Sequence, residues 1–277
     1  MKKIFLIVLL FLVSCTTPAP VESILLVSTT STQDSGLLDV LLPAFTEQTG
    51  YQVRLVAMGS GQALKIAQEG NADVVLLHSP AAEKEFMDNG FGLDRRLVMH
   101  NDFVIVGPES DPASLRSQPT AVDSFSAIFS SASTFVSRAD ESGTYVKELT
   151  IWENASLNPM HQAWYLETGQ GQGATLNIAS EKQGYAITDR GTFLAYKANL
   201  DLVILFENDP SLLNVYHVIT VNPERLPQVN LKGAQAFADF ITSEVGQDII
   251  REFGVQEYGQ PLFFPDADKT DADLGIP

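Results

Sequence analysis

The chain of 277 residues holds one cysteine, Cys15. No internal disulfide can form, so stability has to come from packed apolar side chains. It has no apolar run long enough to cross a bilayer: Ile4 to Val13 is unbroken but well short of the about 20 residues a bilayer core requires. It is poor in basic residues, with 17 Lys and Arg against 34 Asp and Glu and a formal charge of -17. Such a chain repels nucleic acid and anionic surfaces at long range, which excludes nucleic acid as a partner. Catalytic signatures are missing as well. There is no G-x-S-x-G elbow and no H-E-x-x-H pair. The histidines at 78, 100, 161 and 217 lack metal-ligand spacing, and structural roles are expected for His78, which ends an apolar strand, and His217, which lies within one. The run Gly169-Gln170-Gly171-Gln172-Gly173 is not followed by Gly-Lys-Ser/Thr, so it reads as a turn rather than a P-loop. No enzyme activity, cofactor or resident metal is expected.

The first residues carry a specific signal. Lys2 and Lys3 precede the apolar run, and Leu12-Val13-Ser14-Cys15 follows it. This order is that of a secretory signal peptide, and its end looks like a bacterial lipobox. The expectation is a signal peptide over 1–14, acylation of Cys15, and a short Pro-containing tether over 15–23, leaving the protein extracytoplasmic and lipid-anchored. Without Lys2 and Lys3 the formal charge becomes -19. Any anion site in so acidic a chain has to act locally, through N–H groups, hydroxyls and a well-placed arginine.

The remainder alternates strand and helix patterns. Ile24-Leu25-Leu26-Val27 reads as a buried strand ending in a loop of hydroxyls. Leu38, Leu41, Leu42 and Phe45 recur at helical spacing, with Pro43 inside the pattern and Gly50 as its stop. Tyr51 to Met58, Gln62 to Glu69 and Val74 to Leu77 continue it as strand, helix and strand, which implies a parallel sheet with right-handed crossovers. Further strands are expected at Phe103–Val106, Thr134–Ser137, Tyr185–Thr188, Leu202–Phe206 and Val215–Val221, helices at Thr144–Asn154 and Ala174–Gln183, and one or two helices over Ala234–Glu252. No linker divides the chain, so it is expected to cross between two α/β lobes more than once, near Asn101–Pro108 and Phe206–Tyr216. The acidic end from Pro265 is weakly patterned.

Four strand-to-helix loops carry the candidate chemistry: Ser28 to Ser31, Gly59-Ser60-Gly61, Arg138 to Thr144, and Thr188 to Thr192. In parallel α/β sheets such loops gather at the C-terminal ends of the strands, where ligands bind. Helix N-termini present unpaired N–H groups to anions. Ser, Thr and Asp also serve as plain N-caps, and Arg138 has Asp140 and Glu141 as rival partners. Arg190 is the second candidate cation.

These segments, together with Asn101 to Pro108, resemble the extracytoplasmic tungstate-binding component of tungstate ABC transporters, over about Ile24 to Phe264. That family carries a Thr-Thr-Thr-Ser box and an Arg-Gly-Asp-x-Ser-Gly-Thr box. Here they read Ser28-Thr29-Thr30-Ser31 and Arg138-Ala139-Asp140-Glu141-Ser142-Gly143-Thr144. Ala139 replaces the family's Gly, a strained choice if φ there is positive. The resemblance implies a two-lobed periplasmic-binding-protein fold of type II, each lobe a mostly parallel sheet flanked by helices. Lobe one would span 24–104 and 207–265, lobe two 105–206, with 266–277 an acidic tail. It implies a monomer that closes on tungstate by hinge motion and delivers it to an ABC transporter permease. The oxyanion would be held by Thr29, Thr30, Ser31, Ser60, Arg138, Ser142, Gly143 and Thr144. Other readings remain open at this point: molybdate, phosphate or sulfate on the same fold, a lipoprotein that signals ligand state to a membrane receptor, or a hydrolase using Ser142 or Ser31.

Overall fold

The computed structural model describes residues 22–140 and 142–276. Cys15, the signal peptide and most of the tether lie outside the described residues, as does Glu141. Among the described residues no helix is long and apolar enough to cross a membrane.

The strands are β1 (Ser23–Thr29), β2 (Gln52–Met58), β3 (Val74–Leu77), β4 (Gly92–Gly107), β5 (Phe135–Ser137), β6 (Tyr165–Glu167), β7 (Ala186–Asp189), β8 (Val203–Phe206), β9 (Leu213–Val221) and β10 (Phe264–Pro265). The main sheet runs β10-β4-β9-β3-β1-β2, and β7 and β8 pair with the far end of β4. The β1, β2 and β3 pairings are parallel, as the β-loop-α-β pattern requires. The pairings of β4 with β7, β8 and β9, and of β3 with β9, are antiparallel. The sheets are therefore more mixed than the parallel reading of the sequence, because the strands that run from one half of the molecule to the other also pair with each other.

The 16-residue β4 connects the two halves. Gly92 to Asp102 pairs with β9, whereas Phe103 to Gly107 pairs with β7 and β8. The buried side chains divide at the same point. Two apolar clusters draw on residues up to Met99 and again from Tyr216 onward. The other two draw only on Phe103 to Leu212. The crossing strands are joined by the Asn214 Nδ2–H, which donates to Asn101 Oδ1 at 2.8 Å.

Local structure follows the pattern in most places. The helix Leu37–Thr49 buries Leu37, Leu38, Leu41 and Phe45, and it continues through Pro43. Pro43 has no N–H for the carbonyl four residues back, and that position, Asp39, is exposed. The expected run Ala234–Glu252 is two helices, Leu231–Ile241 and Glu244–Glu252, separated where the Ser243 hydroxyl caps the second. The first half of β4 and the helix Pro80–Asp88 are additions to the sequence reading. They were hidden because Arg95, in β4, replaces an apolar core side chain with an ion network. Arg95 bonds the fully buried Glu83 and Asp271, and His217 bonds both carboxylates. The segment beyond Pro265 is tied down by the same chemistry: buried Asp266 accepts from His100 at 2.6 Å and from Lys269 at 2.8 Å.

Candidate functional site

Parallel pairing of β1 with β2 and β3 brings three strand ends to one edge. Thr29 ends β1, Gly59-Ser60 follows β2 and His78 follows β3. From the other half, Arg138 follows β5, Ser142 opens the helix Gly143–Asn154, and Asp189 ends β7. All of these line one cavity of about 530 Å³, floored by Asn101, Asn214 and Tyr216 on the crossing strands. The eight expected binding residues, Thr29, Thr30, Ser31, Ser60, Arg138, Ser142, Gly143 and Thr144, are brought together there.

On the first wall, Thr29 is buried while Thr30 and Ser31 are exposed in the cleft. The sequence reading placed a loop here, but the chain turns directly into a one-turn helix, Thr30–Asp34, with Thr29 as its N-cap. The Thr29 hydroxyl accepts the Thr32 N–H at 3.2 Å and lies 2.6 Å from the Thr32 hydroxyl. Ser60 begins the helix Ser60–Gln68 at an N-terminus with no side-chain cap, so N–H groups there are left to the cavity.

The second wall is bonded to itself. Arg138 donates from Nε and Nη2 to Asp140 Oδ2 at 3.1 and 2.6 Å. Asp140 Oδ1 accepts the Ser142 N–H at 3.1 Å and its hydroxyl at 2.5 Å. The Ser142 hydroxyl also caps its helix by accepting from the Tyr145 N–H. Arg138 and Ser142 thus form the ion pair and the helix cap while lining the cavity. Ala139 has φ 47°, the left-handed region that favours glycine. Arg190, the second candidate, points elsewhere: it pairs with Asp102 at 2.5 Å and Glu207 at 2.6 Å.

Comparison with known proteins bears on this geometry. The chain matches the PBP superfamily domain over residues 15–245. It is 47% identical over 249 residues to the tungstate-binding protein TupA of Peptoclostridium acidaminophilum, covering 89% of this chain and 87% of that protein. The solved tungstate-binding protein TupA from Desulfovibrio alaskensis G20 superposes with a TM-score of 0.83 at 42% identity, over 89% of this chain and 99% of that one. A tungstate ABC transporter structure from Geobacter sulfurreducens gives 0.74 at 44%, over 84% and 99%. The chain belongs to the PBP superfamily, in the family of these tungstate-binding proteins. The two-lobed α/β expectation holds, and the family is one of binding proteins, not enzymes.

As a PBP-type cleft, the cavity has an uneven electrostatic lining. Asp34, Arg138 and Asp189 line it. Asp189 is turned into its own helix cap, accepting from the Thr192 N–H at 2.8 Å and hydroxyl at 2.7 Å. His78, read from sequence as structural, is a cavity residue of this PBP cleft. Its Nε2 lies 3.1 Å from Thr29 Oγ1 and 3.3 Å from Ser31 Oγ, and its ring packs on Tyr216 at 4.7 Å between centroids. Burial pushes its pKa down, partly offset by the Glu83 and Asp189 charges and by a hydrogen bond with Asn214. The signal was available in the sequence: a residue directly after an apolar strand reaches the same edge as the hydroxyls directly after its parallel neighbour.

Proposed function

We propose that this protein captures tungstate between its two lobes and delivers it to the permease of an ABC importer. The observation that carries the reading is the convergence of Thr29, Thr30, Ser31 and Ser60 from one wall with Arg138, Ser142, Gly143 and Thr144 from the other in a single cavity. Short hydroxyls and N–H groups fix a distance between opposed donors. A large tetrahedral oxyanion fills that distance, while a smaller one leaves donors unpaired, at about 1–3 kcal/mol for each buried group. The 42% and 47% identities to tungstate-binding proteins support the choice of ligand.

In this reading lobe one comprises 24–104 with 207–265, lobe two comprises 105–206, and closure bends the two crossing segments. The protein works outside the cytoplasm as a monomer, held to the membrane by a lipid on Cys15. Calorimetry of the soluble chain with tungstate, molybdate, sulfate and phosphate tests the ligand. Tungstate and molybdate should bind at least a hundredfold more tightly than sulfate or phosphate, and equal affinities would refute the selectivity. Intact mass of protein made in a bacterial host should show loss of residues 1–14 and gain of acyl mass.

A further inference from the structure

The charges around the cavity do not suit a dianion. Among the described residues lining it, Arg138 is the one permanent cation, Asp34 and Asp189 are carboxylates, and Asp140 lies directly on Arg138. One other lining side chain can become positive, and that is His78.

Hydrogen counting at His78 gives the same answer. Thr29 and Ser31 each have one hydroxyl hydrogen to give, and both oxygens lie within reach of His78 Nε2. A bare Nε2 accepts one of those hydrogens and withdraws it from the cavity. An Nε2 that carries hydrogen donates instead and takes neither, which leaves the hydroxyl hydrogens to an anion or to the neighbouring Thr32 Oγ1, 2.6 Å from Thr29 Oγ1. Asn214 sets the state of the neutral ring. Its two amide hydrogens are spent on Asn101 Oδ1 at 2.8 Å and Tyr216 OH at 3.1 Å, so its oxygen is what remains for the imidazole. With Nε2 on the hydroxyls, Nδ1 is the nitrogen left to face the Asn214 oxygen and the residue's own backbone carbonyl, both of which favour hydrogen on the ring. The neutral ring therefore carries hydrogen on Nδ1 and leaves Nε2 bare. Only the imidazolium has N–H on both sides.

We propose that oxyanion capture protonates His78, which then serves as the second cation of the site and as the positioning residue that turns the Thr29 and Ser31 hydroxyl hydrogens toward the ligand. The proposal rests on the oxyanion-capture reading above. The balance is simple: the protein takes one proton from solvent for each anion bound, and releases it with the anion. Burial disfavours the charged ring in the free protein, and a dianion at the hydroxyls opposes that preference. The charged and titratable groups facing the ring are Glu83 from the helix Pro80–Asp88, Asp189 from β7, Tyr216 from β9, Asp34 and Arg138 along the cavity, and Lys147 in the adjoining groove. The second wall comes close over the ring as well: a Cβ on Gly143 would lie 3.1 Å from His78 Cε1.

The test is calorimetry with tungstate at pH 6.5, 7.5 and 8.5, in buffers of low and high ionisation enthalpy, beside imidazole-ring NMR of the wild-type chain with and without tungstate. Binding should take up close to one proton. Affinity should weaken toward tenfold per pH unit as pH rises, and the ring should change from neutral to charged on saturation. The variant His78→Gln keeps a donor and an acceptor but no charge. It should take up no proton, bind at least tenfold more weakly than wild type at pH 6.5, and show affinity independent of pH. A wild-type protein that binds tungstate with no proton uptake and a neutral ring overturns the proposal, as does a variant that retains the wild-type pH slope. The NMR readout decides even if the variant does not fold. If another oxyanion binds in place of tungstate with the proton uptake intact, the ligand assignment fails and the role of His78 stands. Failure to bind any oxyanion overturns both.

Discussion

The two walls of the cleft use the same residue types and are in different states. On the first wall Thr30 and Ser31 stand exposed in the cleft, and the helix behind Ser60 has no side-chain cap. On the second, Asp140 already accepts two hydrogen bonds from Arg138 and two from Ser142. A carboxylate of the protein thus holds the donors that the proposed oxyanion would take. In the proposed capture the hydroxyl wall keeps its internal contacts and takes up a proton at His78. The charged wall has to exchange an internal partner for an external one, so the strength of binding is set by the difference between two charge-assisted contacts rather than by one. Such an exchange costs little where solvent screens the pair and gains as closure removes water.

The largest effect should come from breaking the charged wall. Arg138→Ala removes the site's permanent cation and leaves Asp140 facing the ligand unpaired. Hydrogen bonds to charged groups contribute about 1.5–3 kcal/mol each, so losing two should weaken tungstate binding by roughly a hundredfold to several thousandfold. The ligand-free melting temperature should stay within a few degrees of wild type. Lys at this position should restore affinity only in part, since it keeps the charge and loses the fork. Thermal shift at a fixed tungstate concentration reads both outcomes: a variant that keeps the full ligand-induced shift would remove Arg138 from the site.

The second wall also stands on a titrating support. Glu148 is buried beneath the loop, where it accepts from the Ser137 hydroxyl at 2.8 Å and the Tyr165 hydroxyl at 2.7 Å, and Ser137 Oγ in turn accepts the Ala139 N–H. Burial pushes its pKa up to about 7, against the hydrogen bonds from Tyr165, Ser137 and Trp152 that favour the charge. The folded protein therefore holds a proton that the unfolded chain gives up at lower pH. Stability from this group is present below the ordinary carboxyl pKa of about 4.5 and is lost as pH rises through about 7. The loss is on the order of 3 kcal/mol at most. Urea midpoints at pH 5 and pH 8 should show the decline, and Glu148→Gln should flatten it. On the first wall the titrating neighbour of the hydroxyls is His78, whose pKa burial moves the other way, so Glu148→Gln separates the two contributions.

A smaller effect is expected from the hydroxyl wall. Thr29→Val keeps the shape and removes one donor, for about a tenfold to hundredfold loss of affinity. It also removes the cap on the Thr32 N–H, at about 1 kcal/mol of stability. If affinity falls as far as in Arg138→Ala, the two walls do not differ in the way proposed.

How much of this could be read from the residues depends on which force decided each feature. Val74 to Leu77 and Leu37 to Phe45 were legible because burial alone fixes them. The binding loops were legible because strand ends and N-caps share a vocabulary of Ser, Thr, Asp and Gly. The first half of β4 was not, since Arg95 lies where an apolar side chain would mark a strand, and its partners Glu83, His217 and Asp271 come from other parts of the chain. His78 was placed on its strand and denied its role, because one residue carries no periodicity and its neighbours Thr29 and Ser31 are 49 and 47 positions away. Asp140 as the resident partner of Arg138 was foreseen as a rival to ligand binding. The structure shows that pair formed, with Arg138 also lining the cavity.

The smallest expected effect tests whether the charged wall is held in its present shape at a cost. Ala139 has φ 47° between Arg138 and Asp140, so its backbone sets the geometry of the pair that competes with the ligand. A left-handed conformation costs a residue with a Cβ about 1–2 kcal/mol. Glycine avoids that cost, but it adds freedom to the unfolded chain that offsets about 0.4–1 kcal/mol. The net gain from Ala139→Gly should therefore be about 1 kcal/mol or less, a rise of a few degrees in melting temperature. Affinity separates two possibilities. If strain at Ala139 holds Arg138 against Asp140, glycine should loosen that pair and change tungstate affinity by a few fold. If the Arg138–Asp140 contact fixes itself and Ala139 merely follows, stability should rise while affinity stays within twofold of wild type. A melting temperature that falls would show that the loop is selected in the unfolded chain by alanine's stiffness, and that φ 47° carries no penalty here.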